Sequence, residues 1–122
     1  LSIDEDLARY VDIARGHHKF YNGKGGYPND FDNTASPERF MIDIITVCDC
    51  LDAATDQYGR NYHQAKTTDE VLAEFKRDAG VRYNPDIVRF ILQDEALRDT
   101  LREISGPRRL TIYYDTYKHY FM

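Results

Sequence analysis

Apolar side chains recur at helical spacing along most of the chain, and strand signals are weak. Leu7, Tyr10, Val11 and Ala14 mark a first amphipathic stretch running to about Arg15, behind a Ser2/Glu5 capping pair. Residues 22–35 are rich in Gly, Asn, Asp and Pro and predict a long ordered loop. Ser36, Pro37 and Glu38 then restart a helix, with Ser as N-cap, Pro at the first position and an acid in the first turn. That helix should end near Thr55, and residues 56–66 form a second loop around Gly59. Thr67 and Glu70 open the next helix, Val71, Leu72 and Phe75 give it a buried stripe, and Gly80 stops it. Asn84-Pro85-Asp86 begins a short helix with Ile87, Val88 and Ile91, and the segment from Asp94 to Ile104 carries Leu97 and Leu101. After the break at Ser105-Gly106-Pro107, residues 108–122 place Leu110, Tyr113, Tyr114, Tyr117 and Phe121 at roughly helical spacing. These aromatics read as packing residues, and Arg108 and Arg109 as solvated. There is no internal repeat, and the pattern predicts an all-α helical bundle.

Composition narrows the function classes. The 122 residues suit one domain. With 16 Lys+Arg against 21 Asp+Glu, the net charge of −5 argues against a partner that is a nucleic acid polymer or an anionic membrane surface. No apolar run approaches the roughly 20 residues of a membrane span. The longest, from Met41 to Ala54, is broken by Asp43, Thr46, Asp49 and Asp52. Cys48 and Cys50 point about 200° apart on a helix, so they neither bridge nor share an ion. They read as buried free thiols of a reducing cytoplasm. The chain begins at Leu1 without a signal peptide, and the expectation is a piece of something longer.

Two features carry candidate chemistry. On a helical wheel the apolar side chains of residues 41–56 point nearly all the way round, which places that helix at the centre of the domain. Asp49, Asp52 and Asp56 nonetheless share a sector of about 60°. Buried acids on one stripe need a positive counterpart, either an Arg, a helix N-terminus or a cation. One reading buries only Asp49, pairs Asp52 with an Arg and puts Asp56 in the loop; the other makes Asp49 a metal ligand. The second feature is His17-His18, at the end of the first helix. Neighbouring helical imidazoles diverge by about 100°, which suits two adjacent ions, or one ligand with a supporting donor, better than one shared ion. Imidazole plus carboxylate is the ligand set of Mn, Fe, Ni or Zn hydrolytic sites.

Residues 17–28, HHKFYNGKGGYP, resemble the HHExxDGxGYP signature of the HD-GYP branch of the HD phosphohydrolase superfamily. Three further segments agree in order. Residues 47–55, VCDCLDAAT, resemble the family's VADxxDALT; residues 60–65, RNYHQA, resemble RPYRKA; and residues 79–88, AGVRYNPDIV, resemble AGTQFDPELV. The resemblance implies a partial HD-type helical domain that hydrolyses cyclic dinucleotides such as cyclic di-GMP with divalent metal ions, Fe, Mn, Ni or Zn. It further implies His17, His18 and Asp49 as metal ligands, with Arg60, His63 and Tyr27 facing substrate.

The sequence also departs from that pattern. Lys19 replaces the acid after the His pair, Asn22 replaces the loop Asp, His63 replaces a basic residue, and no His is followed by Asp. The family's His-Asp pair lies upstream of the His doublet, so the expectation for residues 1–122 is the C-terminal portion of such a domain. By itself that portion should be inactive, bind metal weakly or not at all, and self-associate through the surface its missing helices would cover. The alternative is a degenerate, non-catalytic HD-type module for signalling or dimerisation.

Overall fold

A computed structural model describes residues 3–56, 65–106 and 109–121. Among them are six α-helices and no strand: α1 (Ile3–Gly16), α2 (Arg39–Thr55), α3 (Thr68–Arg77), α4 (Pro85–Gln93), α5 (Glu95–Ser105) and α6 (Arg109–Phe121). The all-α expectation holds. None of these helices is long and apolar enough to cross a membrane.

Local chemistry sets the helix starts. The Thr67 hydroxyl accepts from the Glu70 N–H at 3.1 Å, and the Asn84 amide oxygen accepts from the Asp86 N–H at 2.9 Å with Pro85 beside it. Asp94 does the same for the Leu97 N–H at 3.0 Å. Each satisfies donors that the first helical turn leaves free. Ser36 behaves differently from expectation. Its hydroxyl accepts from the Glu38 N–H but donates to Asp12 on α1, so it ties two segments together and α2 starts later, at Arg39. The Ser2 cap lies outside the described residues.

The core is one cluster. Val47 and Leu51 of α2 meet Val71, Leu72 and Phe75 of α3 and Val88 and Ile91 of α4, and the Tyr83 ring meets Phe75 edge-on at 4.7 Å. Helix α2 lies between α1 on one side and α3 and α5 on the other. It is not enclosed among the described residues, contrary to its all-round apolar pattern. Ile42, Val47 and Leu51 are buried, whereas Phe40, Met41 and Ile45 are exposed, because the described helices that flank those faces leave open grooves beside them. The tail departs from expectation too. Tyr113, Tyr117 and Phe121 of α6 are 50%, 53% and 75% exposed, whereas Arg109 is buried and ion-paired with Asp52.

A buried carboxylate holds the long loop to the helices. Asp43 on α2 accepts from the Arg39 guanidinium at 3.2 Å and from the Asn84 side-chain amide at 2.9 Å. Arg39 also donates to the Tyr21 carbonyl at 2.6 Å and stacks over that ring. The loop is fastened again where the Tyr21 and Asn22 N–H groups donate to the carbonyls of Arg82 and Val81. One charge, 3% exposed, therefore connects α2, the cap of α4 and the loop beside the His doublet. Removing it strands a largely buried guanidinium, which is far costlier than losing a surface pair. Asp43→Ala is expected to lower the unfolding free energy by about 3 kcal/mol in urea titrations; a loss within surface-substitution range would show that the carboxylate ties nothing together.

Candidate metal centre

The His doublet sits just past a helix end. Helix α1 stops at Gly16, and His17 and His18 occupy the turn that follows. Gly16 is required by close approach: a Cβ there would lie 2.8–2.9 Å from Ile42 side-chain atoms of α2. Beyond the helix the two rings are freed from the helical offset. Their centroids are 3.9 Å apart and their planes tilted by 42°, so the expected divergence does not occur.

Both rings turn toward Asp49. One ligand atom from each of His17, His18 and Asp49 lies within 4.8 Å of the other two. His17 Nδ1 is 2.7 Å from the Ala14 carbonyl. A carbonyl can only accept, so Nδ1 is the donor; in the neutral ring that leaves the lone pair on Nε2, as in a metal-ligating imidazole held by a backbone carbonyl. His18 stacks on Tyr27, centroids 4.6 Å apart at 19°, and its carbonyl accepts from the Tyr27 N–H. Gly26, at φ +79°, allows this turn, since a Cβ there would fall 2.1 Å from the His18 carbonyl oxygen.

The acidic stripe resolves into three separate environments. Asp49 is exposed rather than deeply buried and faces the imidazoles. Asp52 pairs with Arg109, as one of the two readings required of an arginine. Asp56 is the C-terminal cap of α2. Arg60 and His63 lie outside the described residues. Tyr27 is 62% exposed, with its ring on the rim beside His18. Lys19, which follows the His doublet, is buried. Cys48 is exposed and Cys50 half-buried, both are free, and burial pushes both thiols up.

Sequence reasoning passed over Thr46. Its buried hydroxyl lies 3.0 Å from the His17 carbonyl and 2.8 Å from the Ile42 carbonyl, bonding the turn to α2 one helical turn before Asp49. The signal was available, because Thr46 and Asp49 stand at i and i+3 on one helix face.

Comparison with protein-family models, with curated proteins and with solved structures found no match to this chain. The donor set therefore has to be judged on its chemistry. Two imidazoles and a carboxylate suit Zn, Fe, Mn or Ni. Ligands about 2.1 Å from one ion stand at most about 4.2 Å apart, so a spread within 4.8 Å closes with small rotations about χ angles. The residues fit a divalent transition metal.

Thr46→Val, which deletes the hydroxyl and keeps the shape, is expected to weaken cobalt(II) binding by roughly 10–100-fold, the usual cost of losing a group that orients a ligand. Thr46→Ser should retain binding. Equal affinities for wild type and the Val variant would contradict the role given to that bond.

Proposed function

We propose that His17, His18 and Asp49 bind a divalent transition-metal ion, and that the chain supplies part of the site of a metal-dependent phosphohydrolase acting on cyclic dinucleotides. The convergence of the three ligand atoms carries this reading. When bound, such an ion acidifies a water and offsets charge building on a phosphodiester. The chain's own part is orientation. Ala14 and Thr46 fix the His17 ring and backbone, and Tyr27 holds His18 while offering an aromatic face on which a nucleobase can stack. Arg60 and His63 enter only through the resemblance, as groups for the substrate phosphates.

No His here is followed by Asp, the pair that the resembled family pattern adds to the ligand set, so metal should be held weakly and turnover should be absent in this chain alone. A non-catalytic signalling or dimerisation module is the second reading. The buried Lys19 favours it, since a cation stands where the family pattern has an acid, next to His18.

Equilibrium dialysis against Mn, Fe(II), Ni and Zn with elemental analysis tests the site. Uptake of a dialysable ion is expected, abolished by His17→Ala and by Asp49→Ala; uptake that ignores both substitutions would overturn the assignment. With manganese added, bis(p-nitrophenyl) phosphate should remain uncleaved, and brisk hydrolysis would refute the claim of an incomplete site.

A further inference from the structure

A cleft of about 340 Å³ runs along the seam between α1 and α2, lined by Asp6, Arg9, Tyr10 and Ile13 on one side and by Met41 and Ile45 on the other. At about 100° per residue, Asp6, Tyr10 and Ile13 share a sector of roughly 60°, and position 17 falls in the same sector. The chain keeps that register past the helix end, since the His17 N–H still donates to the Ile13 carbonyl at 3.1 Å. On α2, Ile45 and Asp49 stand at i and i+4, one above the other on one face. The two helices run in the same sense here, because Arg9 meets Glu38, Gly16 meets Ile42 and the His17 carbonyl meets Thr46. Both walls of the cleft therefore lead, one helical turn of about 5.4 Å further on, to the candidate metal ligands.

The chemistry of the cleft changes along its length. Ile13, Met41 and Ile45 make an apolar floor beside the ligands. Tyr10, 68% exposed, adds an aromatic face, and the half-buried Asp6 brings a carboxylate, an acceptor only, to the far end. Arg9 beside it is engaged by Glu38 at 2.7 Å. An alkyl chain would leave the carboxylate unused, and a sugar would leave the floor uncovered. A flat heterocycle with N–H donors on its edge uses the floor, the ring and the carboxylate together. In a nucleotide the base stands one sugar away from the phosphate, so a phosphate held at the ligands sends its base into the adjoining turn of the cleft.

We infer that the α1/α2 cleft is the subsite for one nucleobase of the substrate, with the Tyr10 ring stacked on it and Asp6 accepting from its N–H groups. This rests on the metal-dependent phosphodiester reading above. Tyr27 stands on the His18 side of the ligands as Tyr10 stands on the His17 side, and it takes the second base. Tyr10 and Asp6 position the substrate and hold no metal.

Methyl NMR titrations test it, with and without zinc, using guanosine 5′-monophosphate as the probe and ribose 5-phosphate as the control that lacks a base. The Ile13 and Ile45 methyl resonances should shift with the nucleotide and not with the sugar phosphate, while those of Val71 and Val88 in the core stay still. Tyr10→Ala should weaken nucleotide binding by about tenfold, Tyr10→Phe should retain it, and Asp6→Asn should weaken it. All three variants should keep the wild-type circular dichroism and zinc uptake. Dialysis reads zinc separately, so nucleotide shifts that persist in a chain that takes up no zinc would fault the metal reading and not the cleft. Ile13 and Ile45 methyls that ignore the nucleotide, an equal response to ribose 5-phosphate, or equal affinity in wild type and Tyr10→Ala would each overturn the inference.

Discussion

The close approach of α1 to α2 at Gly16 is the constraint from which the candidate site follows. With no side chain at that position, the last turn of α1 rests against Ile42, and the next carbonyl, that of His17, comes within reach of the Thr46 hydroxyl. Thr46 and Asp49 share one face of α2, so the contact that seats the end of α1 on α2 also brings the His doublet near the carboxylate. Gly26 acts in the same way on the other side, where backbone passes so near the His18 carbonyl that a Cβ could not be accommodated. Helix–helix packing and backbone hydrogen bonds thus hold the three donor side chains near one another, the kind of preorganisation that would reduce the cost of binding an ion.

The wider structure divides labour between apolar and polar contacts. The apolar cluster joins α2, α3 and α4 and leaves α1 and α6 out. Polar ties add to this packing. Ser36 reaches Asp12 on α1, Asp43 gathers Arg39 and Asn84, and Arg109 draws the start of α6 to Asp52. Charged groups at such positions do not add much net stability by themselves, but each is geometrically selective and costly to leave unpaired. Faces of α2 not used by the core are open. One lies beside α1 at Met41 and Ile45, and the other lines the groove between α2, α4 and α5.

What was legible in the sequence was local. Thr67, Asn84 and Asp94 announce helix starts because a cap is settled by a few neighbouring atoms. The Gly- and Asn-rich loop and the convergence of His17, His18 and Asp49 were also within reach, the last through motif resemblance and not through periodicity. Helical periodicity misdirected the rings, since it spread two residues by about 100° on a helix that in fact ends one residue before them. It also enclosed α2 and packed the α6 aromatics, because apolar pattern reports which side chains favour burial and not whether a neighbour is present to bury them. Arg109 was misplaced for the same reason: its partner Asp52 is 57 positions away, and no local signal encodes that pairing. Asp43 looked like an interruption of an apolar run and proved to be a tie between elements.

The central claim is that the His doublet and Asp49 form one ligand set. X-ray absorption at the zinc edge of the zinc-loaded protein addresses it most directly. The account predicts a shell with two imidazole nitrogens and a carboxylate oxygen at about 2.0–2.1 Å, and no protein-bound zinc in Asp49→Ala. A shell of water oxygens alone, or one containing cysteine sulfur, would contradict it.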